Sequence, residues 1–164
     1  MKLNELWKGL KRIANGDYVL EGDLISDETI EIDLDDRLVV SGSVVSKKGI
    51  IIRCGIKAGE GIKAGEGIEA GEGIEAGCGI KAGEGIEAGW GIKAKTFIHS
   101  EKRIFAGISV YHTNENCIKT IECAELRKGE ICFGDLVIKT PEVIMTIAEI
   151  EAKLGIKNLK IKTE

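Results

Sequence analysis

Two histidines, His99 and His112, and five cysteines, Cys54, Cys78, Cys117, Cys123 and Cys132, are the side chains that could serve as bases, nucleophiles or soft metal ligands. A catalytic histidine needs a pocket beside it and a proton to move. His99 stands between Ile98 and Ser100 at an outward position of an alternating segment, and His112 falls in a column of inward small residues. The cysteines are odd in number and nowhere spaced as C-x-x-C, which argues against a zinc knuckle or a redox pair. They read as reduced thiols packed as small hydrophobes, the usage of a cytoplasmic protein. Asp33, Asp35 and Asp36 are near neighbours, but alternation along a strand splits them between faces and a bend. The Gly-x-Gly triplets precede no helix, and no G-x-x-x-x-G-K-[ST] loop occurs, so nucleotide binding is not indicated. No catalytic, cofactor-binding or metal-ligating residue is assigned, and no cofactor is expected.

The elements that would carry these residues follow from a repeat. The 164 residues suffice for one domain, and 43% of them are apolar. From Ile56 the chain reads IKAGEG, IKAGEG, IEAGEG, IEAGCG, IKAGEG, IEAGWG and IKAKTF, a period of six. Ile and Ala stand two apart with a charge between them, so they share one face of a strand while the charge takes the other. Gly-x-Gly then supplies a tight corner. One such strand is too short to stand alone; winding the chain stacks Ile on Ile and Ala on Ala, with strands about 4.8 Å apart. Three hexads per coil give a mainly β, triangular, single-chain parallel β-helix of about 18 residues per coil. Right-handed winding is favoured over left-handed because parallel crossovers are generally right-handed.

The six-residue phase runs backward from Ile56 through Ile50, Val44 and Leu38 to Ile32, and forward through Ile98 and Ile104 to Val110. A second inward column runs Leu34, Val40, Ser46, Ile52, Ala58 to Ala94, Ser100 and Ala106. After Val110 the phase slips, Asn114–Asn116 reads as a loop, and Cys117 to Lys139 continues as irregular strands. Ile118, Ile121, Leu126, Ile131, Phe133, Leu136 and Ile138 are its inward candidates.

The G-x-G-I-x-A texture of Gly59 to Ala94 resembles hexapeptide-type β-helix proteins. Over roughly residues 38–110 the chain is most similar to the bactofilins, polymer-forming cytoskeletal β-helices of bacteria. It resembles less well the left-handed hexapeptide acyltransferases, which place a small residue two before the aliphatic one. Here Glu60, Glu66, Glu72, Cys78, Glu84 and Trp90 hold that place. An acyltransferase would use a histidine as base at a subunit interface; neither His99 nor His112 lies beside the long loop that builds such a pocket.

A single domain over 1–164 is expected: an N-terminal capping α-helix over 3–14, the β-helix over 18–139 (most regular over 50–98), a C-terminal capping α-helix over 141–154 and a closing strand over 156–161. Leu3, Leu6, Trp7, Leu10 and Ile13 make the first helical stripe, with Gly16 as its stop. Thr140-Pro141-Glu142 starts the second, whose stripe is Val143, Ile144, Ile147, Ile150 and Leu154, ended by Gly155. The N-terminus lacks the apolar core of a secretory signal, and no apolar run is long enough to span a membrane.

An 18-residue coil sorts the outward residues into three rows: Lys57, Glu75 and Lys93, alternating in sign; Lys63, Lys81 and His99; and Glu69, Glu87 and Phe105. Val39, Val45, Ile51, Phe105 and Tyr111 are outward apolars that await either the terminal helices or an oligomer interface. Trp90 takes a corner otherwise held by Glu. The candidate interaction surface is therefore Trp90, Glu69, Glu87, Lys63, Lys81, Phe105 and Tyr111. With 23 basic against 27 acidic residues, no nucleic-acid partner is expected. Repetition supplies rigidity and identical surfaces, whereas an active site needs unique ones. The favoured function is a non-enzymatic scaffold or assembly protein, a homo-oligomer or the holder of a protein partner. The alternatives are a hexapeptide-type acyltransferase-like enzyme and an acidic nucleic-acid mimic that binds a basic protein.

Overall fold

The computed structural model describes residues 1–4, 6–108 and 118–139. They form a parallel β-solenoid of six coils, and no helix occurs among the described residues. Strands β1 (Lys2–Asn4) and β2 (Leu10–Arg12) precede the coils. Coil 1 holds β3 (Tyr18–Leu20), β4 (Leu24–Ser26) and β5 (Ile30–Asp33). Coil 2 holds β6 (Leu38–Val40), β7 (Val44–Ser46) and β8 (Ile50–Ile52). Coil 3 holds β9 (Ile56–Ala58), β10 (Ile62–Ala64) and β11 (Ile68–Ala70); coil 4 holds β12 (Ile74–Ala76), β13 (Ile80–Ala82) and β14 (Ile86–Ala88). Coil 5 holds β15 (Ile92–Ala94) and the long β16 (Phe97–Ala106). Coil 6 holds β17 (Thr120–Cys123) and β18 (Glu125–Phe133), and β19 (Asp135–Ile138) follows.

Each strand pairs in parallel with the strand one coil above or below, and three walls result. Wall I stacks β3, β6, β9, β12, β15, β17 and β19. Wall II stacks β4, β7, β10 and β13 onto the first half of β16; wall III stacks β1, β5, β8, β11 and β14 onto its second half. Ile62 stands opposite Val44 and Ile80, a period of 18 residues. The core is what alternation requires: Leu38, Ile56, Ile74 and Ile92 line wall I, Ile62, Ile80 and Ile98 wall II, and Ile50, Ile68, Ile86 and Ile104 wall III, all buried. The narrow second column of Ala58, Ala64, Ala76, Ala82, Ala88 and Ala94 keeps the tube thin. Ser46 and Ser100 sit in that column, and each hydroxyl donates to the backbone carbonyl of a corner residue, Glu28 at 2.9 Å and Glu84 at 2.5 Å.

The regular corner glycines are not there for backbone conformation. None of those between Gly55 and Gly91 has a positive φ; among the described residues that conformation is confined to Gly9, Gly16, Gly22, Gly107, Gly129 and Gly134. Close approach is the reason. A Cβ on Gly59, Gly65, Gly71, Gly77 or Gly83 would lie 1.9–2.1 Å from the carbonyl oxygen of the coil below. The second glycine is roomier in four triplets: at Gly61, Gly67, Gly73 and Gly85 the nearest atom is 3.2–3.6 Å away, whereas a Cβ at Gly79 would meet the Phe97 ring at 2.4 Å and one at Gly91 would meet Ile118 and Thr120 at 3.0 Å.

The ends differ from expectation. The N-terminal capping helix over 3–14 is absent. Leu3 pairs with Ile32 as the outermost residue of wall III and is fully buried, while Leu6 is 90% exposed. β2 folds back on β3 as an antiparallel hairpin whose bend carries Gly16 at φ 98°. The physical reason is edge satisfaction. The first coil presents unpaired N–H and C=O groups that a strand can bond and a helix cannot. A lone twelve-residue helix is marginal by comparison. The C-terminal helix over 141–154 and the closing strand over 156–161 lie outside the described residues, as do Val110, Tyr111, His112 and Cys117.

The phase of coil 1 also differs. Ile30 and Ile32, not Ile32 and Leu34, are the wall residues: Ile30 pairs with Ile50 and Ile32 with Ile52, a period of 20. The two extra residues enlarge the corner at Asp35 and Asp36, and Leu34 adds a third buried side chain. An insertion of two leaves the inward parity intact, so the sequence pattern conceals it. Of the later inward candidates, Ile121 is buried and Leu126 and Ile131 pack against the core. Ile118 is exposed and Phe133 pairs with Phe105 on the outside. Leu136 aligns with Ile121 yet is exposed, as is Ile138, because no described coil follows β19.

Candidate interaction surface

Between each inward pair one side chain points out, and the strand register stacks these into rows at about 4.8 Å spacing. On wall I the row is Val19, Val39, Lys57, Glu75, Lys93, Glu122 and Val137. Its charges neutralise one another. Lys57 Nζ lies 3.1 Å from Glu75 Oε1, and Glu122 receives Lys93 at 3.4 Å and Lys139 at 2.6 Å. Lys139 beside it is the first cause holding the Glu122 carboxyl below the usual range.

Wall II carries Ile25, Val45, Lys63, Lys81, His99 and Lys128. Wall III carries Lys2, Glu31, Ile51, Glu69, Glu87, Phe105 and Phe133. Lys63 and Lys81 are exposed neighbours of one sign, as are Glu69 and Glu87. Among the described residues none of these four makes an ion pair within 4 Å. Ile25 is 63% exposed and Ile51 48%. The expected rows on all three walls are therefore those of the structure through coil 5.

The candidate residues do not converge on one patch. Lys63 and Lys81 lie on wall II, Glu69, Glu87 and the half-buried Phe105 on wall III, and Trp90 on the corner between walls III and I. Tyr111 lies outside the described residues. The backbone N–H of Trp90 donates to Glu72 O one coil below, at 3.2 Å. Beside Trp90 runs a groove of about 300 Å³ floored by Gly55, Gly73 and Gly91 and bordered by Arg37, Ile118 and Glu122.

The side chains with chemical potential are engaged structurally. His99 Nε2 lies 2.7 Å from Glu101, which also takes the ammonium of Lys128 in a close ion pair. Lys128 first, then His99, pulls the Glu101 carboxyl down to about 2. Asp33 pairs with Lys2 and Arg53, while Asp35 and Asp36 share Arg12. The acidic trio thus serves as an ion-pair clamp on the first coil, with Arg12 over the Tyr18 ring at 5.1 Å. Burial pushes the Cys54 thiol up to about 11, and it also raises Cys123. Cys78 and Cys132 are exposed. Sequence reasoning missed Lys128 and Phe133, which extend the rows of walls II and III, because the interruption after Ile108 breaks the period that would have placed them.

No protein-family model, no curated protein and no solved structure matches this chain. No helix among the described residues is long and apolar enough to cross a membrane.

Proposed function

We propose that this chain is a non-enzymatic scaffold or assembly protein that uses the rigid walls of its β-solenoid as interaction surfaces in the cytoplasm. One observation carries the reading: wall I neutralises its own charges, whereas Lys63 and Lys81 on wall II and Glu69 and Glu87 on wall III are exposed pairs of one sign that make no ion pair among the described residues. Stacked like charges repel, and a partner that faces them removes that cost. The hexapeptide texture, with its resemblance to the polymer-forming bactofilins, agrees with an assembly role. So does the engagement of His99 in a hydrogen bond with Glu101 and of Asp33, Asp35 and Asp36 in ion pairs.

Size-exclusion chromatography with light scattering tests the proposal on the full chain, with partner capture alongside. An oligomer or a stoichiometric partner is expected, together with an unchanged melting temperature in millimolar acetyl-CoA. A strict monomer at high concentration without a partner, or clear stabilisation by acetyl-CoA, would refute it.

A further inference from the structure

We infer that the partner of wall II is wall III of a second copy of this chain, docked with the two solenoid axes antiparallel. The inference rests on the scaffold reading and specifies its interface. Lys63 and Lys81 are directly opposite each other in neighbouring parallel strands, and so are Glu69 and Glu87. Both rows therefore have the same spacing, about 4.8 Å, and lie in the same two coils. Two rows of equal pitch and opposite sign can engage both pairs at once.

The flanking residues decide the direction. With antiparallel axes, Lys63 meets Glu87 of the second copy and Lys81 meets Glu69. Ile25 and Val45 then meet Phe133 and Phe105, and Lys128 meets Glu31. At five of the six positions apolar residues face apolar residues and cations face carboxylates; at the sixth, His99 faces Ile51. With parallel axes and no stagger, Ile25 would cover the Glu31 carboxylate and Lys128 would face Phe133. Docking wall II on wall II places Lys against Lys or Ile against Lys, and wall III on itself places Glu against Glu. Wall I offers no competing charge, since Lys57–Glu75 and Lys93–Glu122 are already paired. The contact is heterologous: it leaves wall III of the first copy and wall II of the second open. It therefore repeats and grows a lateral ribbon of alternating copies instead of closing as a dimer.

Sedimentation velocity of the full chain across concentration and salt tests this, with the variants K63E/K81E and E69K/E87K. All four residues are exposed and make no ion pair among the described residues, and circular dichroism verifies that the variants fold. The native chain is expected to associate at low salt and to dissociate at high salt. Each double variant should weaken self-association roughly tenfold or more, as expected from losing two exposed ion pairs and adding repulsion. Mixing the two variants should restore association. Cross-linking tests the direction in a Cys78→Ser/Cys132→Ser background. A Lys63→Cys chain should form a disulfide with a Glu87→Cys chain and not with a Glu69→Cys chain. Native-like association of either double variant, or a mixture that stays monomeric, overturns the interface while a native oligomer keeps the scaffold reading. A native chain that never associates overturns the interface as well, and the scaffold reading then stands or falls on partner capture.

Discussion

Gly65 and Gly67 flank the same corner, two residues apart, and an alanine at each should have opposite effects. At Gly65 the new Cβ would lie 1.9 Å from Lys47 O and 2.8 Å from its carbonyl carbon, both backbone atoms that cannot turn away. Relief requires coils 2 and 3 to separate locally, which strains or breaks the bond from Gly65 N to Ser46 O, now 3.1 Å. Overpacking of this kind costs about 1–3 kcal/mol and a lost backbone hydrogen bond about 1 more, so Gly65→Ala should destabilise by about 2–4 kcal/mol. At Gly67 the nearest atom is Gly85 O at 3.6 Å, an ordinary contact, and φ is not in the left-handed region. There the alanine mainly restricts the unfolded chain, and Gly67→Ala should be neutral or stabilising by up to about 1 kcal/mol. For a chain of this size the two melting temperatures should differ by roughly 4–20 °C. Urea and thermal unfolding followed by circular dichroism measure the difference, and Gly83→Ala, which meets Gly65 O at 1.9 Å, serves as an independent copy. Equal midpoints for Gly65→Ala and Gly67→Ala would refute the claim that close approach between coils selects glycine at the first position.

The same logic separates inward from outward isoleucines: Ile68→Ala, fully buried between Ile50 and Ile86, should cost about 2–5 kcal/mol, whereas Ile51→Ala on the outside of wall III should cost about 0.5 kcal/mol or less in the same urea titration. Glu101 has a folded pKa of about 2, below its ordinary 4.5, so its link to Lys128 is fully present above about 4.5 and is lost as pH falls toward 2. Amide exchange in β18 should therefore accelerate across that window in the native chain, and Glu101→Gln should already be fast above it; identical profiles would count against the link. With iodoacetamide at pH 8, Cys78 and Cys132 should be alkylated in the folded protein, while Cys54 and Cys123 react only after unfolding, as site-resolved mass spectrometry would show.

What the sequence made legible was whatever repeats. Ile56 to Ala106 states its inward and outward columns in every hexad, so the walls and their charge rows could be read before the structure. What escaped were features that break the period without breaking parity. Ile30 replaced Ile32 at the head of its column because a two-residue insertion at Asp35 and Asp36 leaves every side chain on its original face. The Leu3–Ile13 segment carried a helical stripe, but the open edge of coil 1 decided the matter, and a tertiary edge is invisible in a local window. The corner glycines were legible as tight corners, but the close approach that demands the first of each triplet was not, since the carbonyl it meets lies 18 residues back. The surface row was legible through Phe105 and lost at Lys128 and Phe133, where the pairing offset varies from residue to residue.

Deletions in units of the repeat separate what the core requires from what the surface requires. Removing 62–79 takes out one whole coil: Ile80 then stacks on Val44 and Ile86 on Ile50, and every later strand keeps its wall. Lys81 still faces out from wall II and Glu87 from wall III, so self-association should weaken but survive. Removing 62–67 takes out one hexad. Each later strand moves back to the preceding wall, yet isoleucine still stacks on isoleucine or valine and alanine still lies in the narrow column, so the tube should still close. The rows do not survive: Glu69 and Glu87 now stand on wall II above Val45, while Glu75 and Lys93 stand on wall III above Ile51. Both chains should show the same strand signal, with unfolding free energies lowered by roughly the share of the repeats removed, and only the hexad deletion should be monomeric at concentrations where the native chain associates. An unfolded hexad deletion would mean that the walls are not interchangeable inside the tube. A folded one that associates like the native chain would mean that the rows of walls II and III do not choose the partner.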